Sequence, residues 1–459
     1  MKLHQDAAIA AIATAPSTGA VGIIRVSGAG AFEIADRVFF PRDGRPLSAH
    51  EPRRLIFGLA RASSGEVLDN CLGVCMPGPS SYTGEDVAEL QCHGGGGVMS
   101  LVLRALLDAG ARMAVPGEFT RRAFLNGKLD LVQAEAVADL IDADWQGAVQ
   151  NAAAQLSGTF GDRIRELYDK LRDLSAEYSA VMDYADQFVD AGDGSALRAR
   201  LDGLDGELCS LCEGIAAGRI VKNGLRTCIA GRPNAGKSSL FNRLLGYARS
   251  IVTDEAGTTR DVVSEKVLIA GVPLVLSDTA GIRGTQSAPE RAGVALAREE
   301  AGRAELLLLV FDGGEPLTPE DEELIALARP GKTVLICNKS DLPRCDAAWA
   351  RLQSAGHPVI SISAVTGEGM DALLEEIRRM AGLSGASYDG MLVTNARQAD
   401  ALRTARDAVA AAKAAKDAGA EDAIWSALTD AVNAVGGILG IDVAEDVEER
   451  VFSRFCLGK

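Results

Sequence analysis

The sequence predicts a multidomain chain combining three fold classes. These are an α+β domain at the N-terminus, a helical domain after it, and an α/β domain inserted into the helical one. Three observations predict this. All fifteen prolines fall at or before Pro116 or between Pro233 and Pro358. Proline breaks helix interiors, so 117–232 and 359–459 are free to be helical. Strand-like runs bounded by glycine precede Pro116, and a strand/helix alternation runs from about Gly224 to Leu383. One split helical domain is the economical reading, and two separate helical domains are the alternative.

Composition sets limits on function. The chain has 459 residues, of which 47% are apolar and 24% charged, the balance of a soluble globular protein with room for large cores. Its net charge is −16 and its pI about 4.9. Such a surface does not attract nucleic acid as a whole, so an RNA partner must meet a local basic patch or a second protein. The strongly apolar run Leu306–Phe311 is far too short to span a bilayer. Met1–Ala15 is Ala-rich but interrupted by Asp6, which argues against a secretory leader. The nine cysteines are scattered, as expected in a reducing cytoplasm.

In the first domain, Val21–Gly28 and Asp86–Cys92 read as strands and Phe32–Val38 and Val98–Leu107 as helices. Arg25 and Glu89 fall within the strands and read as outward-facing, solvated charges. Helical periodicity marks Ala134–Asp142, Ile164–Val181, Leu402–Lys416 and Ala423–Leu439. Cys209 and Cys212 share one helix face and read as small buried residues rather than zinc ligands.

The insert carries the chemistry. The apolar run Leu225–Ala230 leads into Gly231-Arg232-Pro233-Asn234-Ala235-Gly236-Lys237-Ser238-Ser239, and a helical run follows. This is G-x-x-x-x-G-K-[ST] between strand and helix, the context a phosphate-cradling loop needs. Its glycines let backbone N–H groups face a phosphate, and the helix start adds partial positive charge. Lys237 can reach the β- and γ-oxygens, and the Ser238 hydroxyl can sit on Mg²⁺. In Gly257-Thr258-Thr259 a threonine can complete the Mg²⁺ shell. Asp278-Thr279-Ala280-Gly281 follows the strand Val272–Leu276, where Asp278 would hold Mg²⁺ through water and Gly281 N–H would sense the γ-phosphate. Asn338-Lys339-Ser340-Asp341 ends the strand Thr333–Cys337. Asp341 can accept from guanine N1–H and the 2-amino group, whereas adenine would leave that carboxylate unpaired. Ser363-Ala364-Val365, after the strand Val359–Ser361, is suited to back the base. Five such elements, each at the carboxyl end of a strand, define a P-loop, Ras-like G domain. Ile282 stands where many small GTPases carry a water-positioning glutamine, leaving Arg283 and Glu290 as candidates on the following loop.

The chain resembles the MnmE (TrmE) family of tRNA wobble-uridine modification GTPases over essentially its full length. The motifs are Gly22-Ile23-Ile24-Arg25-Val26-Ser27-Gly28, Tyr82-Thr83-Gly84-Glu85-Asp86-Val87-Ala88-Glu89-Leu90, the run Pro116–Asp130 beginning Pro-Gly-Glu-Phe, the GTPase set, and Phe455-Cys456-Leu457-Gly458-Lys459. The resemblance implies four parts: 1–124, a folate-binding-like domain that dimerises; 125–222, helical; 223–383, the G domain; and 384–459, helical with a terminal cysteine motif. It implies a formyl- or methylene-tetrahydrofolate donor held by Arg25, Glu89, Lys128 and Lys459. It extends the GTP contacts through Thr253, Asp254, Glu255 and Ala256. It places potassium on Asn234, Thr253, Glu255 and Thr258, magnesium on Ser238 and Thr259, and catalytic roles on Glu290 and Cys456. It also implies a cytoplasmic homodimer working on tRNA with the flavin- and NADH-using partner MnmG, which would carry those redox cofactors. The resemblance implies that the pair installs a (carboxymethyl)aminomethyl-type group at C5 of the wobble uridine. The tail's Val451, Phe452, Phe455 and Leu457 are more apolar than a frayed end, and docking would bring Cys456 and Lys459 to a site. The alternative function is an RNA-binding or ribosome-assembly switch GTPase, in which hydrolysis only times release.

Overall fold

The computed structural model describes residues 7–15, 19–183, 194–247, 264–277, 302–384, 388–441, 451–453, 455 and 458. The chain divides into two compact units. One comprises Met1–Ile141, Gln155–Asp173 and Val432–Lys459, the other Asp142–Ala154 and Leu174–Ala431.

The first unit is built on seven strands: β1 (Ile9–Ile12), β2 (Val21–Ser27), β3 (Phe39–Pro41), β4 (Ile56–Arg61), β5 (Val67–Met76), β6 (Val87–His93) and β7 (Arg112–Met113). Their order is β3-β4-β5-β6-β2-β1-β7, antiparallel throughout except for the parallel β1–β7 pair. Alternate residues of each strand face opposite sides. On one side, Ile24, Val26 and Leu90 pack with Ile34 and Ala35 of α1 (Ala31–Val38) and with Val102 and Leu106 of α2 (Gly96–Asp108). On the other, Ile9 and Ala11 pack with Phe119 of α3 (Glu118–Leu125).

The Pro-Gly-Glu-Phe run is explained by packing. Gly117 has φ 72, and a Cβ there would run into the Phe452 carbonyl of the tail. Glu118 is 3% exposed, bonded to Arg112, to Arg122 Nη2 at 3.2 Å and to the Val115 N–H at 3.0 Å. Burial would raise this carboxyl, but those partners win and hold it below the usual carboxylate range. A depressed folded pKa gives stability that is full above the unfolded value and fades as pH falls through the folded one. Thermal melts are therefore expected to fall as pH drops below the ordinary glutamate range, and Glu118→Gln is expected to flatten that fall while costing about 3 kcal/mol at neutral pH. A melt whose pH dependence is the same in both proteins would remove Glu118 from this role.

The tail packs in the same unit. Phe452 and Phe455 are buried with Phe124 and with Leu131, Ala134 and Val137 of α4 (Leu131–Ile141). The Phe452 ring lies 6.1 Å from Phe124 and 5.8 Å from Phe455. Gly458 is buried against the Ile12 carbonyl at the end of β1. Cys456 and Lys459 lie outside the described residues.

Next come α5 (Gln146–Leu156), α6 (Thr159–Asp183) and α7 (Gly194–Asn223). Ile164, Leu167, Leu171 and Leu174 of α6 are buried at helical spacing. In the second unit six strands follow: β8 (Leu225–Ala230), β9 (Ser264–Ile269), β10 (Val272–Ser277), β11 (Leu306–Asp312), β12 (Thr333–Asn338) and β13 (Val359–Ser361). Their order is β13-β12-β11-β8-β10-β9, parallel except for the β9–β10 hairpin. Every residue of β11 is buried, as a parallel strand covered on both faces requires. The helices here are α8 (Lys237–Tyr247), α9 (Pro319–Ile325), α10 (Asp346–Gln353) and α11 (Met370–Met380).

Beyond this insert, α12 (Ala396–Ala418) packs on α7, so helices from both sides of the α/β domain meet. Lys413 Nζ of α12 lies 2.8 Å from Asp202 and from Asp205 of α7. Close approach is enabled by Gly218, where a Cβ would strike the Val393 backbone. The last helix is α13 (Glu421–Leu439). Trp145, before α5, joins the core of this unit and donates from Nε1 to the Val221 carbonyl at 2.8 Å. Cys209 and Cys212 do share α7, but Cys209 is exposed and Cys212 half-buried. The expectation that both are buried is corrected, because the apolar face of α7 runs through Leu201, Leu204, Leu208, Leu211 and Ile215 instead. Among the described residues, no helix is long and apolar enough to cross a membrane.

Candidate functional site

The carboxyl ends of β8, β11 and β12 converge in the second unit. The loop after β8 turns through Asn234 at φ 61 and Gly236 at φ 98, both left-handed. A Cβ at Gly231 would strike the Val310 carbonyl of β11, so only glycine lets the loop leave the sheet there. Ala235 is fully buried, and α8 starts at Lys237. Lys237 Nζ donates to the carbonyls of Gly231 and Arg232, each at 2.8 Å. Burial pushes the pKa of this lysine down, so an anion beside it would strengthen its protonated form. Ser238 and Ser239 lie on the first turn of α8.

Asn338 joins this loop to the rest of the site. It ends β12, is 2% exposed, donates from Nδ2 to the Ala235 carbonyl at 2.9 Å and accepts at Oδ1 from the Ala364 N–H at 3.0 Å. One amide thus holds the phosphate loop and the Ser363–Val365 loop in register. Sequence reasoning gave Asn338 only a place in a base-selecting motif. Asp341 is exposed, and its Oδ1 accepts from the buried Ser363 hydroxyl at 2.5 Å. Arg243 of α8 donates to the Ala364 carbonyl at 2.9 Å and to the Val365 carbonyl. No motif marks Arg243 in the sequence. The arrangement presents N–H groups and a cation at one end and a carboxylate at the other.

The remaining expected contacts of this site lie outside the described residues: Thr253, Asp254, Glu255, Ala256, Gly257, Thr258 and Thr259, then Asp278, Thr279, Ala280, Gly281, Ile282, Arg283 and Glu290.

The MnmE helical domain family matches residues 131–456, and the N-terminus of the GTP-binding protein TrmE matches residues 8–128. The chain belongs to the MnmE (TrmE) family. A tRNA modification GTPase MnmE of Symbiobacterium thermophilum is 44% identical, with 98% of this chain and 99% of that protein covered. Another, of Roseiflexus sp., is 42% identical, with 99% of each covered. The G domain of the T. maritima FeoB iron transporter is 28% identical over 34% of this chain and 98% of its own, with a TM-score of 0.25. The multidomain architecture and the GTP-hydrolase class expected from the sequence are those of the MnmE family.

The first unit of this MnmE-family chain holds a second charged cluster. Arg25 and Glu89 stand opposite each other on β2 and β6, and Arg25 Nε lies 2.8 Å from Glu89 Oε1. Neither is a solvated outward charge, which corrects the first reading. Their side chains are only 17% and 14% exposed, and they pair because the β2–β6 register brings them together. The Arg25 guanidinium also lies 5.0 Å from the Tyr82 ring centre and 5.7 Å from that of Phe119. Tyr82 is held by its hydroxyl, 2.8 Å from Thr120 Oγ1. The exposed Lys128 lays its stem against Gly84, two residues beyond Tyr82, so it borders the same loop. Glu85 ties that loop down through Ser27 Oγ at 2.8 Å and Arg122 Nη1 at 3.1 Å. Nothing in the sequence singles out Tyr82, Glu85, Phe119 or Arg122 as site residues. Their only sequence mark was membership of family motifs.

Proposed function

We propose that this chain is a potassium-activated GTP hydrolase that acts on tRNA with a flavin-dependent partner of the MnmG type. In this reading the pair installs a (carboxymethyl)aminomethyl group at C5 of the wobble uridine, with a tetrahydrofolate derivative as one-carbon donor. The four-part division at 124, 222 and 383, the homodimer through 1–124 and the cytoplasmic setting belong to the same proposal. The observation that carries it is the Asn338 amide, which ties the phosphate-type loop to the Ser363–Val365 loop in a chain related to MnmE proteins over 98% of its length.

In the hydrolysis step, Lys237 and the N–H groups of α8 bind the β- and γ-phosphates, and Asp341, oriented by Ser363, selects guanine. Asn234, Thr253, Glu255 and Thr258 offer only oxygen donors, and so do Ser238 and Thr259. Those sets fit a hard monovalent and a hard divalent cation respectively. When bound, such ions supply positive charge beside the phosphates, the part an arginine finger plays elsewhere. Glu290 is assigned to orient the attacking water, since the Ile282 side chain has no polar atom. In the first unit, Glu89 can accept ring N–H groups of a pterin while the Arg25 beside it donates to the same ring system, and the exposed Lys128 suits the anionic end of a folate. Lys459 completes that set, and Cys456 is the candidate nucleophile of the tail.

Hydrolysis is expected to run at least about tenfold faster in potassium than in sodium at equal ionic strength; equal rates would remove Asn234 from cation binding. For tRNA, the deciding measurement is mass analysis of wobble-uridine nucleosides from cells lacking the gene. Unchanged nucleosides would favour a GTPase that only times an RNA-assembly event.

A further inference from the structure

We propose that Asp312 is a positioning residue for guanine-nucleotide affinity, acting through Lys339. The proposal rests on the GTP reading above and adds to it a residue outside every motif in the sequence. Asp312 is the last residue of β11, opposite Asn338 in the β11–β12 register. It is 7% exposed, and its Oδ2 lies 2.6 Å from Lys339 Nζ. Its Oδ1 accepts from the Gly314 N–H at 3.0 Å, so the carboxylate is clamped on both oxygens. Burial works against the charge, but Lys339 and Gly314 outweigh it and keep the carboxyl below its usual range, with Arg232 of the phosphate loop adding to the effect.

The backbone around this pair is fixed. Gly313 N–H donates to the Asn338 carbonyl at 2.8 Å, and Cys345 N–H donates to the Gly313 carbonyl at 2.8 Å. A Cβ at Gly313 would lie 2.7 Å from the Asn338 carbonyl, so the two segments meet as closely as glycine allows. Lys339 itself is left-handed, at φ 67, a conformation unfavourable for lysine and kept only where neighbours impose it. A free lysine ammonium on four methylenes samples many rotamers, and ordering it on binding costs free energy. Asp312 removes part of that cost beforehand by holding the Lys339 ammonium 2.6 Å from its Oδ2, in the segment whose Asn338 and Asp341 serve the base in the reading above. A bound nucleoside then meets a cation already in place, which is preorganisation rather than a new contact.

The role is distinguishable from simple support of the loop. Asp312→Asn keeps the Gly314 bond at Oδ1 but turns an NH₂ group toward the ammonium, releasing Lys339. Fluorescent GDP and GTP analogues titrated against intact protein should bind about tenfold more weakly, by the same factor for both, because Lys339 serves the base end and not the γ-phosphate. KM for GTP should rise by that factor while kcat at saturation holds. Lys339→Met should weaken binding similarly, and Asp312→Asn added to it should change little further. Wild-type affinity in Asp312→Asn, or full additivity of the two changes, would overturn the proposal. A collapse of kcat with KM unchanged would assign Asp312 to catalysis and overturn it too. If the unaltered protein binds neither analogue, the nucleotide reading itself fails first, which separates the two failures.

Discussion

Asp341→Ala is expected to weaken guanine-nucleotide binding about 10²- to 10⁴-fold, a large loss for an exposed side chain. The carboxylate offers two charge-assisted hydrogen bonds to the base, each worth about 1.5–3 kcal/mol, and about 1.4 kcal/mol corresponds to a factor of ten. Ser363 donates to one oxygen at 2.5 Å and aims the group. Ser363 is in turn held by its own N–H on the Glu368 carbonyl at 3.0 Å. Little stability should be lost, because Asp341 is exposed. The measurement is a pair of titrations, GTP and ATP, on both proteins. Wild-type should prefer GTP by at least the factor that the substitution removes. Equal affinity for GTP and ATP in the unaltered chain would end the guanine reading.

How much of this was legible in the sequence depends on how local the cause is. β11 was legible because a parallel strand covered on both faces shows an unbroken apolar run, Leu306–Phe311. The turn after β8 was legible because its glycines and lysine follow from the geometry of a phosphate loop. The docked tail was legible from Phe452 and Phe455, which are too apolar to be left in water. Pairings set by tertiary register were not. Arg25 and Glu89 stand 64 residues apart and meet only because β2 and β6 align with that offset. Period-two alternation says that a strand residue faces outward, but not what covers that face, and here Tyr82 and Phe119 stand over Arg25. The exposed Cys209 failed for a related reason. The α7 sequence alternates short apolar and charged residues, so several faces look equally suited to burial until α12 selects one. Asp312 and Arg243 carried no pattern at all, since a single charge after a strand or within a helix is ordinary.

The second large effect is expected from a single methyl group. Gly236 has φ 98, where an L-residue is strained, and a Cβ there would run into the Asn338 amide nitrogen. Gly236→Ala therefore has two costs. One is the left-handed backbone, about 1–3 kcal/mol. The other is displacement of Asn338, which leaves the Ala235 carbonyl and the Ala364 N–H without their partner at about 1–3 kcal/mol each. Both fall on the state that binds nucleotide, so GTP hydrolysis at limiting substrate should drop about 10³-fold or more. Asn338→Ala removes the clash but also both hydrogen bonds, so its own loss should be smaller. The two substitutions share one cause, and the double variant Gly236→Ala/Asn338→Ala should be little worse than Asn338→Ala plus the backbone strain. Independent, fully additive losses would mean that Gly236 acts through the phosphate contact alone, not through the amide that joins the two loops. Hydrolysis by Gly236→Ala at the wild-type rate would show that the loop relaxes freely, and that the Asn338 link is not what holds the site together.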